Sequence, residues 1–298
     1  MRSSRWTVLL LLFWLLVLPA VPARGAEALP AAEAETDLPG IADPVTLSAP
    51  EWLTVDWVTD RQLSIRWPVT EKAEGYVLSR SRTPDGVYQR VLVLDGRKNV
   101  RALPKSRPDE IWYYRVCACR TSGGRIQYGP ASEPTANIPY RDSRLAELFP
   151  DGLPKTKREM ERKYLVKVKV RVYLGRGKYG YKTLKVHKAL AERVKACFAE
   201  MAEQKFPVQV RFTGSYCWRK MRTANLRSHH SYGCVVDLNW RANPMVKLAK
   251  IGHCAYRPGK NAYSLTDEIV EIWKRHGFYW GGDWPEKKDY MHLTYTNN

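Results

Sequence analysis

The chain has 298 residues, with 49 Lys and Arg against 30 Asp and Glu, for a net charge of +19 at neutral pH. That length exceeds one ordinary domain, and the charge directs the protein toward an anionic surface or partner. Beyond the N-terminus no stretch is long and apolar enough for a helix to span a bilayer, so the mature protein is expected to be soluble.

At the N-terminus, Arg2 and Arg5 precede an unbroken apolar run from Val8 to Leu18, followed by Pro19, Pro22 and small residues up to Ala26. A charged head, an apolar centre and a small-residue exit are the layout of a secretory signal peptide, and these 11 apolar residues fall well short of the roughly 20 that a spanning helix needs. A signal peptide is therefore expected over residues 1–26, cleaved near Ala23 to Ala26. The mature protein would be secreted, extracellular or wall-associated, with no transmembrane span, and export sets nucleic acid aside as its anionic partner. Residues 27–44 are rich in Ala, Pro and acids without Lys or Arg, and read as a flexible leader.

From Val45 the text changes to short alternating runs: Leu53 to Val58, Leu63 to Trp67, Gly75 to Arg80, Tyr88 to Leu94 and Trp112 to Ala118. These predict strands at the spacing of a β-sandwich. Trp67, Gly75-Tyr76, Asp85-Gly86-Val87-Tyr88, the run Tyr113 to Val116 and Tyr128-Gly129-Pro130 resemble a fibronectin type III domain over residues 45–139, with Trp67 as its core tryptophan. The module gathers no catalytic groups, so a spacer is expected of it. Residues 140–163 mix Pro, Asp and Gly with a charged run and read as an exposed linker with a short helical piece.

A second domain is expected over residues 164–298. Leu165 to Leu174 alternates Val166, Val168, Val170 and Val172 with Lys167, Lys169, Arg171 and Tyr173, which predicts a half-buried strand returning through Gly175 to Gly180 into Tyr181 to Leu184. Its basic face is either a solvated surface or a grip for an anionic polymer. Val186 to Gln204 reads as an amphipathic helix with Val186, Leu190, Val194, Cys197, Phe198 and Met201 on one stripe, and with His187 in a structural role. Phe206 to Phe212 reads as a strand, Val235 to Leu238 as another, and Ser264 to His276 as a helix capped by Ser264 or Thr266 and stopped by Gly277. The six cysteines are Cys117, Cys119, Cys197, Cys217, Cys234 and Cys254. Cys117 and Cys119 share one strand face, which does not suit a bridge between them, and the other four read as buried packing or a disulfide.

Chemistry concentrates in Ser228-His229-His230-Ser231-Tyr232-Gly233-Cys234-Val235-Val236-Asp237 and in Asp289-Tyr290-Met291-His292. A catalytic zinc ion commonly takes three protein ligands of the His and carboxylate kind and leaves a position for water. His230, Asp237 and His292 would be those ligands, with Asp289 as the adjacent carboxylate that takes the water's proton. Asp289 must sit on a bend, because positions i and i+3 of one straight strand face opposite sides. His187, His253 and His276 read as structural or surface residues, and His229 as standing behind the site or in solvent.

Ser228, His230, Gly233 and Asp237 resemble the Ser-x-His-x-x-Gly-x-Ala-x-Asp motif of the M15 zinc peptidases, with Val235 in place of Ala. Gly214-Ser215-Tyr216-Cys217-Trp218-Arg219, Asn239, Asn243-Pro244, Trp280-Gly281-Gly282-Asp283-Trp284 and Asp289-x-x-His292 follow the family order. The resemblance implies an α+β zinc peptidase domain behind an all-β fibronectin-like sandwich, with Zn2+ as cofactor and peptidoglycan peptides and anionic wall polymers as partners. The closest subgroup is the D-alanyl-D-alanine carboxypeptidases, and the alternatives are an endopeptidase cutting another stem or cross-bridge bond and a non-catalytic wall-binding protein. By the same resemblance Arg219 holds a substrate carbonyl or carboxylate and stabilises the oxyanion. If the loop folds differently, Arg222 or Arg227 would reach the same carbonyl instead. Trp280 and Trp284 either wall the cleft or pack.

Overall fold

The computed structural model describes residues 46–98, 100–221, 225–247 and 251–297. The expected signal peptide and leader lie outside them. Eight strands come first: β1 (Thr54–Thr59), β2 (Gln62–Arg66), β3 (Gly75–Ser81), β4 (Gln89–Asp95), β5 (Arg101–Ala102), β6 (Tyr113–Ser122), β7 (Arg125–Ala131) and β8 (Thr135–Ala136). They form one sheet in the order β1-β2-β5 and another in the order β4-β3-β6-β7, with β8 pairing β6, and all the pairings are antiparallel. Leu63, Ile65, Trp67, Tyr76, Leu78, Tyr114, Val116 and Ala118 close the space between the sheets, with the Trp67 ring edge-on to Tyr76 at 5.5 Å. This is the expected sandwich. The pattern did not announce β7, a mostly exposed strand that carries Gly129 and Pro130, residues ordinarily poor in strands.

Strand β2 departs from a simple reading of its alternation. Period two would turn Ser64 and Arg66 to water, opposite Leu63 and Ile65. Both are buried instead, at 0% and 2% exposure. The second domain packs on this face, and Arg66 donates to the carbonyl of Asn297.

The first half of residues 140–163 is a further correction. Helix α1 (Arg144–Leu148) is capped by Ser143, whose Oγ accepts from the Ala146 N–H, and Tyr140, Leu145, Leu148 and Phe149 are buried. Arg144 Nη1 donates to the carbonyls of Gly277 and Tyr295, and the Tyr295 hydroxyl donates to Glu147 at 2.9 Å. The segment is therefore a packed joint. Helix α2 (Lys157–Lys163), capped by Thr156, follows with only Met160 buried.

In the C-terminal domain, β9 (Leu165–Gly175) and β10 (Lys178–His187) form a long antiparallel hairpin. Its turn is tighter than expected, and β10 runs on through Val186 and His187, so α3 (Ala191–Glu203) starts later than its apolar stripe suggested. Val168, Val170, Val172, Leu184 and Val186 lie in one core with Val194, Cys197, Phe198 and Met201 of α3. No strand spans Phe206 to Phe212, where the chain makes a 3-10 turn over Val210–Phe212. Helix α4 (Asp267–Arg275) follows Thr266, and Ser264 is occupied elsewhere, its Oγ accepting from the Arg257 N–H at 3.0 Å. The remaining strands are short: β11 (Val235–Asp237), β12 (Met245–Lys247), β13 (Tyr279–Trp280), β14 (Lys287–Asp289) and β15 (His292–Thr294). They form a sheet in the order β11-β15-β13 and a separate β12-β14 ribbon. All six cysteines are free thiols, with Cys197 and Cys234 buried but Cys217 exposed. Among the described residues no helix is long and apolar enough to cross a membrane.

Candidate metal centre

Three elements converge on one point. His230 lies in a 3-10 turn over His229–Tyr232 that ends at Gly233, whose φ of 64° is left-handed. A Cβ at Gly233 would come within 2.7 Å of the His187 nitrogen and 2.6 Å of Leu165 Cδ2, so only glycine lets this turn lie against the hairpin. Four residues later Asp237 ends β11, and β11 pairs with β15 so that Asp237 stands directly opposite His292.

The result is a tight set of donors. His230 Nε2 lies 3.3 Å from Asp237 Oδ2, His292 Nδ1 lies 3.3 Å from Asp237 Oδ1, and the two imidazole rings are 5.2 Å apart. One ligand atom from each of the three residues falls within 4.8 Å of the others. The His230 Nδ1–H donates to the Ser215 carbonyl at 2.8 Å, which fixes the tautomer that leaves Nε2 facing the set. Two imidazoles and a carboxylate fit a zinc-type divalent cation. Burial works against charge on both Asp237 and His230, yet their attraction dominates: the Asp237 carboxyl is held well below its usual range and His230 above its own.

Asp289 joins from the end of β14, across the two-residue bend Tyr290-Met291 from His292, as the i, i+3 spacing required. Its Oδ2 is 4.0 Å from His292 Nδ1, and its buried Oδ1 has no hydrogen-bond partner among the described residues. Burial raises its pKa, with partial compensation from His292 and Lys287. Gly281 makes the bend possible, because a Cβ there would meet the Asp289 carbonyl oxygen at 2.6 Å and the His292 Cβ at 3.1 Å.

These groups open into a cavity of about 450 Å³ whose wall includes Arg219, Lys220, Trp240, Met245 and Trp284. Ser231 anchors the loop that carries Arg219: its Oγ accepts from the Arg219 N–H at 2.8 Å and donates toward the carbonyls of Cys217 and Arg219. Arg227 is stacked on Trp218 at 4.2 Å and does not line the cavity, while Arg222 lies outside the described residues. The Trp284 ring lies 4.9 Å from His292, so Trp284 forms wall, whereas Trp280 packs with its Nε1–H on the Tyr290 carbonyl.

His229 stands behind the site, buried, with Nε2–H on the Val58 carbonyl of the sandwich at 3.2 Å and Nδ1 on the Thr296 hydroxyl. Asn239 and Asn243 staple the loops around β11. Asn239 Oδ1 accepts from the Gln209 N–H at 2.7 Å, and both side chains donate to the Tyr263 carbonyl. Reading the residues in order missed Ser231, Lys287 and Arg101, the last a sandwich residue in the cavity wall. Nothing in the local sequence around Arg101 marks it, since its position depends on packing between domains.

A peptidase M15 family model described as D-alanyl-D-alanine carboxypeptidase matches residues 221–295. The peptidoglycan L-alanyl-D-glutamate endopeptidase CwlK of Bacillus subtilis (strain 168) is 39% identical over 71 residues, 24% of this chain and 41% of that protein's length. Solved fibronectin type III domains are similar at lower levels. The domain of human contactin 1 is 18% identical over 36% of this chain and 91% of its own, at a TM-score of 0.27. The sixth domain of human fibronectin type III domain containing protein 3 is 22% identical over 34% and 89%, at a TM-score of 0.25. The sandwich assignment rests on its own strand order, and the segment that carries His230, Asp237, Asp289 and His292 lies within residues 221–295, the stretch over which the chain is similar to the M15 family of peptidases.

Proposed function

We propose that this chain is an exported zinc-dependent peptidase that hydrolyses stem peptides of peptidoglycan. The observation that carries the reading is the His230, Asp237 and His292 set with Asp289 beside it in one cleft. Zinc bound by those three residues would supply Lewis acidity and a water of lowered pKa. Asp289 takes the proton from the attacking water and returns it to the leaving amine, and its burial-raised pKa brings it closer to the pH at which it works. Arg219 donates to the carbonyl oxygen as negative charge builds there.

The family description favours removal of a terminal D-alanine, and Arg219 with Lys220 suits a terminal carboxylate. The matched relative is named for an internal L-alanyl-D-glutamate cut, which supports an endopeptidase as the second reading. Export is supported by the N-terminal Arg2, Arg5 and Val8 to Leu18 pattern. Binding to anionic wall polymers is supported by exposed Lys167, Lys169 and Arg171 on β9, with Tyr179 and Tyr181 beside them.

The test is to incubate metal-loaded protein with purified stem peptides ending in D-Ala-D-Ala and identify the products by mass. Loss of one alanine supports the carboxypeptidase, and an internal cut supports the endopeptidase. No product from any stem peptide overturns the enzymatic reading in favour of a wall-binding protein.

A further inference from the structure

Strand β5 places Arg101 opposite Arg66 of β2, on the sheet that meets the C-terminal domain. The Arg101 Nε–H donates to Ser64 Oγ at 3.0 Å, which ties the guanidinium to the sandwich. Its Nη1 lies 3.5 Å from Glu286 Oε1, across the domain boundary. The same side chain forms cavity wall together with Trp284, Lys287 and Asp289.

This wall sits next to the chemistry. Trp284 touches the His292 ring, and Asp289 closes the segment that Trp284 opens, so Glu286 and Lys287 lie between the two. Lys287 and Asp289 are i and i+2 on β14 and share a face. Lys287 therefore lies two residues, roughly 7 Å, along the strand from Asp289.

Arg101 and Lys287 place two cations on this wall beside the Asp289 carboxylate. Arg101 is 14% exposed, and burial together with Arg66 brings its pKa down to about 10, which leaves it charged at neutral pH. Burial likewise lowers the pKa of Lys287. The Glu286 contact, at 3.5 Å, is longer than the roughly 2.7–2.9 Å of a charge-assisted hydrogen bond, and neither Glu286 oxygen accepts a hydrogen bond among the described residues. A planar guanidinium is shaped to take a carboxylate through paired N–H groups.

We infer that Arg101, carried by the sandwich, is a substrate-recognition residue of the peptidase cleft, binding with Lys287 a carboxylate borne by the residue next to the scissile bond. The inference rests on the peptide-hydrolysis reading above. It makes the sandwich one wall of the specificity pocket, selecting acidic over amidated peptides.

The experiment uses the full, metal-loaded chain and a matched pair of stem peptides in which the carboxylate beside the cut bond is free or converted to a carboxamide. The parent should prefer the acid, chiefly through a lower KM. Arg101→Gln should lower kcat/KM for the acid about ten- to hundredfold, and by less for the amide, at parent zinc content. Arg101→Gln combined with Glu286→Gln removes both buried charges, so no lone carboxylate is left to disturb the domain boundary. Persistent loss of the acid preference in this double variant supports recognition by Arg101. Restoration of the preference would show a mere brace and overturn the inference. Equal hydrolysis of acid and amide by the parent would overturn it alone, whereas hydrolysis of neither would overturn the peptidase reading with it.

Discussion

Asp289 and the three candidate ligands divide the work in a way that substitution can separate. Asp289 stands 4.0 Å from His292 and outside the ligand set, so Asp289→Asn should keep zinc near one ion per chain while turnover falls about 10²- to 10⁴-fold. His230→Ala removes a donor from the set and should lose the metal itself, read by elemental analysis after dialysis. Normal turnover in Asp289→Asn would remove that residue from the mechanism. Two other histidines matter for pH. Burial depresses the pKa of His187 to about 4 and that of His229 to about 3, against about 6.5 in an unfolded chain. Below pH 6.5 the unfolded chain binds protons that the folded chain refuses, so their contribution is complete above that pH and declines as pH falls toward 4. His187→Asn retains an acceptor for the Ala189 N–H. Its stability should fall less steeply than the parent's between pH 6.5 and 4.5, by about 1 kcal/mol per pH unit in urea titrations. Parallel slopes would exclude His187 as a source of acid sensitivity.

At the scale of elements, the site depends on short strands and tight turns more than on helices. The pairing of β11 with β15 spans only Val235 to Asp237 against His292 to Thr294, yet it alone sets Asp237 opposite His292. Gly281 lies under the bend that joins β14 to β15, and adding a methyl group there must move the Asp289 carbonyl. Gly281→Ala should therefore lower kcat tenfold or more, because misplacement near 1 Å can cost on the order of a hundredfold. Its far-ultraviolet circular dichroism should match the parent's. Parent-like kinetics would show that the bend tolerates the shift. The Asn239 and Asn243 staples explain why the loop between β11 and β12 holds its course without regular structure, since their amides satisfy backbone groups that no strand pairs.

Across the whole molecule, the two domains share a polar boundary that contains buried charge. Arg66 lies 3.7 Å from Asp56, which accepts from Asn297 Nδ2 at 3.2 Å, while His229 reaches Val58. Arg66→Met should destabilise the protein by about 2–4 kcal/mol, because it strands Asp56 and the Asn297 carbonyl without their donor. The boundary also predicts one cooperative unfolding transition for sandwich and C-terminal domain together. Two separated calorimetric transitions would show that they melt independently.

Read alone, the sequence was most informative where a pattern is local. Alternation in β1 to β4, the Trp67 core position, the apolar stripe of α3 and the motif spacing from Ser228 to Asp237 and from Asp289 to His292 all follow from backbone periodicity and turn geometry, which neighbouring residues specify. The bend at Asp289 was legible for the same reason, since spacing of three cannot lie on one face of a strand. Where the sequence reading failed, partners distant in the chain decided the outcome. Ser64 and Arg66 are buried because another domain covers β2, and the start of the 140–163 segment is packed because Arg144 and Phe149 find partners in Tyr295 and Tyr232, 151 and 83 residues away. Arg101 enters the cleft through the same contact between domains. The sequence by itself determined the sandwich and the residues able to hold a metal; tertiary structure decided which surfaces meet, because burial and charge pairing depend on what lies opposite in space.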